Sequence, residues 1–262
     1  NKDNYLARVT MAIKEVKSEI DEAQEIIDAL RIGSDKKEYI PKNFKPIIPQ
    51  NTKIIDISLD KGLLKINFSK ELLDVNKNEE IKVIESLIYS LTEINNIKEI
   101  MLFIEGEKLI LLPQSKIVLP NTLTRDFGIN KIYDLDNLKN ITKTTIYFIG
   151  KEDNYTYYVP VTKIDNNKKS KVEIIINELK SSPIYETNLL SYLNASIELL
   201  NYEILEKQIY LTFNNKILNN FDTNDILEEV KYSIALSLKD SLNVDEVIFK
   251  VDDEVIATLK EE

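Results

Sequence analysis

The chain has 262 residues, of which 43% are hydrophobic and 30% charged, and its formal net charge is −10. The apolar share is enough for packed cores rather than disorder, and the length suits one large domain or two of ordinary size. The acidic balance disfavours nucleic-acid binding, which needs basic surface to replace phosphate counterions. Cysteine and histidine are both absent, which excludes disulfides, structural zinc sites, thiol nucleophiles and His-dependent triads. No stretch reaches the roughly 18 apolar residues of a membrane helix. The first residue is not Met, so any signal or lipid anchor is expected upstream. Absence of Cys fits an exported bacterial protein.

The first element reads as a strand. In NKDNYLARVT, residues Tyr5, Ala7, Val9, Met11 and Ile13 alternate along one face, the period of a half-buried strand. Asp3 and Asn4 before it favour a turn. A helix follows, with Ala23, Ile26, Ile27 and Leu30 at spacings of three and four and Gly33 as its stop signal. Residues 31–52 carry three prolines with Phe44, Ile47 and Ile48 and are expected to pack as an Ω-like loop. Two strands come next: Ile55, Ile57 and Leu59 alternate, then Leu64, Ile66 and Phe68. Asp60-Lys61-Gly62 between them predicts a tight hairpin in which Gly takes positive φ. Asn76 is the expected N-cap of a second helix through Val83, Leu87 and Leu91, and the strand IKEIMLFIEGE closes the unit.

The same order then recurs. KEDNYTYYVP repeats the opening strand, with Asp153-Asn154-Tyr155 in place of Asp3-Asn4-Tyr5, and Val172, Ile175, Ile176 and Leu179 repeat the first helix. ELLNYEILEKQIYLTFNNKIL aligns without a gap on KIIDISLDKGLLKINFSKELL, although Glu206-Lys207 replaces the glycine turn. Thr223 is the expected N-cap of a helix through Val230, Ile234 and Leu238, and VDEVIFKVDDE closes the second unit. The chain therefore reads as α+β: two tandem β-α-β-β-α-β units over 1–112 and 146–262, each a small sheet with two helices on one face. The stretch 113–145 departs from the repeat and is expected to pack as a connection between them.

Candidate chemistry is sparse. Five glycines, none suitably spaced, exclude a phosphate-cradling loop. Glu15, Glu19 and Asp21, and Asp252, Asp253 and Glu254, read as solvated acidic turns rather than an acid–base pair or a calcium loop. No catalytic, metal or cofactor-binding residue is expected. Tyr155, Tyr157 and Tyr158 put aromatics on both faces of one strand. Ordinary strand filling accounts for them, but a tyrosine-bearing strand at a sheet edge would also suit an interface with a partner strand.

IPQNTKIIDISLDKGLLKINFSKEL followed by IKVIESLIYSLTEINNIKEIMLFIEGEKL resembles the GerM domain: the Pro-x-x-Thr-Lys lead-in, the hairpin ending Asn-Phe-Ser, the Leu-Thr-Glu helix end and the strand ending Glu-Gly-Glu. LPNTLTRDF, with Arg125, resembles the tail of that domain. The resemblance spans essentially the whole chain, and the second unit is the more divergent. It implies domains similar to ring-building motifs, no catalytic residues, and a sporulation lipoprotein. Such a protein is anchored on the mother-cell membrane, extracytoplasmic, and faces the intermembrane space of the developing spore. There it would serve as a scaffold or ring subunit supporting the SpoIIIA–SpoIIQ channel, with protein partners and a homo-oligomeric ring among its expected assemblies. A cell-envelope module binding peptidoglycan fragments is the alternative reading, and a carboxylate-dependent enzyme a third.

Overall fold

The structure, a computed structural model, describes residues 5–11, 16–36, 40–152, 155–166, 168–181, 188–220 and 224–260. It divides into two compact units. The first runs from Val9 to Ile129; the second runs from Asn130 onward and takes in Tyr5–Arg8.

The first unit contains α1 (Glu19–Ala29), β1 (Ile54–Asp60), β2 (Leu63–Phe68), α2 (Lys77–Leu91), β3 (Glu99–Ile104) and β4 (Glu107–Lys108). Its sheet has the order β1-β2-β3-β4. β1 and β2 are antiparallel, so a two-residue turn joins them, whereas the parallel pair β2–β3 needs the α2 crossover. In the turn Lys61 has φ 49 and Gly62 φ 87, the two positive values of a type I′ hairpin. A Cβ at position 62 would lie 3.1 Å from the Asn96 carbonyl oxygen, so glycine also meets a packing need there. Ile57 pairs with Ile66 and Leu59 with Leu64; Leu64 and Ile66 are fully buried, as are Val83, Ile84, Leu87 and Ile88 of α2. Each such side chain contributes about 1.5–3 kcal/mol on burial. Both helices are capped: Ser18 Oγ accepts from the Asp21 N–H, and Asn76 Oδ1 accepts from the N–H groups of Asn78 and Glu79. The 31–52 loop packs as expected, with Ile48 fully buried and pairing with Arg31.

The second unit contains β5 (Ile132–Asp134), β6 (Thr142–Glu152), β7 (Tyr155–Asp165), α3 (Lys171–Lys180), β8 (Leu199–Leu205), β9 (Gln208–Phe213), α4 (Glu228–Leu242), β10 (Glu246–Val251) and β11 (Glu254–Lys260). The gapless alignment of the two hairpins holds residue for residue: β8 and β9 have the lengths of β1 and β2. Even the register irregularity near the start of β1, between Ile54 and Asp56, recurs in β8 between Leu199 and Asn201. Glu206 takes φ 55 where Lys61 stands in the first turn.

Five details differ from the expected plan. Each unit closes with a hairpin rather than a single strand, β3–β4 and β10–β11, because Glu105-Gly106 and Asp252 adopt left-handed φ and turn the chain back. The second unit has two sheets, not one: β11-β10-β9-β8 and β5-β7-β6. α4 packs on both β10 and β6, so a second sheet covers the helix layer. The expected opening strand of the first unit is not a strand: Tyr5–Arg8 belongs to the second unit, where the Arg8 N–H donates to the Tyr158 carbonyl at 2.9 Å in an isolated bridge, and Val9 onward belongs to the first. Asn130 holds this segment: its Oδ1 accepts from the Leu6 N–H, and its Nδ2 donates to the carbonyls of Leu6 and Pro160. The expected connection 113–145 divides at Ile129, its first part packing into the first unit through Leu119 and Leu123 and its second forming β5 and the start of β6. Finally, α4 begins at Glu228 with Leu227 at its N-cap, farther along the chain from β9 than α2 is from β2. Asp3, Asn4, Ile13, Glu15, Asp153, Asn154 and Thr223 lie outside the described residues.

Candidate interaction surfaces

The tyrosine strand is placed differently from the expectation of an open edge. β7 is the middle strand of its sheet, with Arg8 pairing beyond β5. Tyr157 is 6% exposed. It pairs directly with Gly150 of β6, and its ring occupies the space a side chain at Gly150 would need. Tyr155 stacks on Tyr157 at 6.1 Å between ring centroids and is the exposed member of the trio. Tyr158 points to the other face, half-buried against Tyr232 of α4 at 6.1 Å. Burial, with the charges of Glu229 and Glu228 and the neighbouring Tyr232, pushes its phenol up to about 12.

The free edge of β6 is closed by a device with no signature in the hydrophobic pattern. The Thr145 N–H donates to Ser241 Oγ at 3.1 Å and the Tyr147 N–H to Ser237 Oγ at 2.8 Å. Ser241 Oγ donates back to the Thr145 carbonyl, and Ile149 exchanges two backbone hydrogen bonds with Leu190. Two serines four apart on α4 thus satisfy strand groups that would otherwise template pairing. The terminal strands β1 and β8, in equivalent positions of the two units, carry the exposed apolar side chains Ile55, Leu200, Ile204 and Leu205.

Charged clusters are structural in form. Lys163 on β7 donates to Glu178 of α3 at 2.7 Å and lies 3.2 Å from Asp134 of β5, tying three elements together. Burial alone would lower the Lys163 ammonium, but the hydrogen bond and charge of Glu178, with those of Asp134, outweigh it and raise it. Glu80 of α2, 1% exposed, accepts from the backbone N–H groups of Gln114 and Ser115. Those hydrogen bonds overcome its burial and hold its carboxyl below the usual range. Glu19 accepts from Asn96 in the first turn of α1, and Asp252, Asp253 and Glu254 form an exposed turn. Among the described residues no group of three or more acidic side chains is disposed to hold a metal ion. None of their helices is long and apolar enough to cross a membrane. Two shallow concavities lie on the second unit. One, of about 260 Å³, is on the outer sheet face around Glu203, Tyr210 and Lys250. The other, of about 430 Å³, runs between α3 and β8.

A pair of α+β units related by duplication, each with an open terminal strand, defines a class of tandem-domain protein. The Germane family profile, described as sporulation and spore germination, matches residues 1–110 and 145–257, and the chain belongs to this family. It is 30% identical to the spore germination protein GerM of Bacillus subtilis (strain 168) over 260 residues, which is 96% of this chain and 69% of that protein. The structure of the tandem GerMN domains of the sporulation protein GerM from Bacillus subtilis superposes with a TM-score of 0.86 at 27% identity. That match covers 97% of this chain and 88% of the other. The α+β class and the tandem organisation are therefore those of GerM. The family match leaves out 111–144, the stretch that breaks the internal repeat.

Proposed function

We propose that this chain is a non-enzymatic scaffold or ring subunit of the sporulation envelope. It supports the SpoIIIA–SpoIIQ channel between mother cell and forespore from the outer face of the mother-cell membrane. The observation that carries the reading is the duplicated unit with an equivalent terminal strand in each copy, β1 and β8, in a chain of the GerM family. Scaffolding draws on surface complementarity and requires no positioned acid, base or nucleophile. Deleting the gene in its spore-forming host is expected to disperse the channel proteins and block sporulation; sporulation with a correctly localised channel refutes the reading.

A peptidoglycan-binding module is the second reading, favoured by the polar concavity around Asn201, Glu203, Tyr210, Thr212 and Lys250. Pull-down on purified cell wall separates the two readings: binding abolished by Tyr210→Ala and retained in Tyr155→Ala places a glycan site there.

A further inference from the structure

The segment that breaks the repeat builds a hairpin on the first unit. The Leu112 N–H donates to the Ile117 carbonyl and the Leu119 N–H to the Ile110 carbonyl, each at 2.9 Å. Leu112 and Leu119 point inward and are buried; Ile110, Leu111, Ile117 and Val118 point out, Val118 with 74% of its surface exposed. Four large apolar side chains on one exposed arm form a patch of the kind that marks an interaction site. The arm is held in place: the buried Glu80 carboxylate grips the N–H groups of its tip residues Gln114 and Ser115. The arm is also locally basic between the flanking Glu107 and Asp126. Residues 108–125 include Lys108, Lys116 and Arg125 and no Asp or Glu, in a chain of net charge −10. Lys108 is hydrogen-bonded to Asn121 and Arg125 is paired with Glu93; Lys116 is exposed in the turn, where its charge also favours the Glu80 carboxylate.

The second unit carries a surface of matching character. The groove between α3 and the terminal strand β8 is lined by the apolar side chains of Ile176, Leu199 and the exposed Leu200. Its rim holds Glu173 and Glu198, with Lys180 beside them. Leu200 is 58% exposed.

We infer that the hairpin of one copy docks into the α3–β8 groove of a second copy, Val118 meeting Leu200 and Lys116 meeting Glu198. The inference rests on the scaffold reading and gives it a partner and a mode. Because hairpin and groove are different surfaces, the contact is heterologous and passes from copy to copy, as ring or filament growth requires. Opposite charges at the rim fix the register and speed the encounter.

The absence of cysteine makes the test direct. Full-length Val118→Cys is mixed with Leu200→Cys at high protein concentration and oxidised mildly, with Ile55→Cys on β1 as the control partner. The 118–200 disulfide dimer is expected at least about tenfold above the 118–55 dimer, since the thiols must meet within bonding distance. Adding Lys116→Glu to the first chain is expected to abolish the excess, and Glu198→Lys on the second to restore it. Equal yields with both partners, or indifference to the charge reversals, overturns the docking. So does a result in which no 118–200 link forms and Lys116→Glu releases the chain from phosphatidylglycerol vesicles, which makes the hairpin a membrane contact. Failure here with the gene-deletion defect intact removes this docking mode alone, whereas loss of the deletion defect removes the scaffold reading itself.

Discussion

At the scale of single residues, the tyrosine strand shows how a local pattern can be right about chemistry and wrong about access. Tyr155, Tyr157 and Tyr158 stood out as aromatics on both faces of a strand, and they are. What the sequence did not disclose is that Gly150 would sit directly across from Tyr157, since the pairing depends on the register of β6. Gly150→Ala drives a Cβ into the Tyr157 ring and is expected to cost about 1–3 kcal/mol by overpacking. Urea unfolding measures this, and Gly150→Ala in a Tyr157→Val background should recover most of the loss. Tyr158 carries a pH signature. Its folded pKa, about 12, lies above the ordinary phenol value, so between roughly pH 10 and 12 the native state holds a proton that the unfolded chain releases. That part of the stability is present below pH 10 and lost as pH rises through 12. In Tyr158→Phe the fall in Tm across this window should be shallower than in the wild type.

At the scale of elements, period and turn chemistry were legible wherever one element answered to one pattern. The hairpins, the two amphipathic helices of each unit and the Asn76 cap all follow from alternation, three-four spacing and Asx capping. The closing hairpins were harder to read. In the first unit only two residues follow the turn as a strand, and in the second the VIATLK run lies past an acidic turn that reads equally well as an end. The seal on β6 was illegible, because Ser237 and Ser241 on α4 look like ordinary polar positions until the helix lies against the strand. Ser237→Ala leaves the buried Tyr147 N–H without that partner and is expected to destabilise the second unit by about 1–3 kcal/mol. Hydrogen exchange at the Tyr147 amide should accelerate, while β2 and β3 keep their protection.

At the scale of the whole molecule, duplication was visible in the sequence and unit membership was not. Periodicity assigns Tyr5–Ile13 to a strand but cannot say whose sheet it joins; for Leu6–Arg8 a single hydrogen-bonded bridge to Tyr158 and the Asn130 side chain decide that. Asn130→Ala removes the clasp on Leu6 and is expected to lower the stability of the second unit by about 1–3 kcal/mol. Hydrogen-exchange mass spectrometry should show lost protection in β5–β7 and none in β1–β3. The same clasp sets a timetable for synthesis. Leu6–Arg8 is synthesised well before its pairing residue Tyr158, which lies some 150 residues downstream. At about 5–20 residues per second the segment is without that partner for roughly 8–30 s. The whole of Val9–Ile129 is synthesised in that interval, so the first unit can fold before the segment ahead of it finds its place in the second.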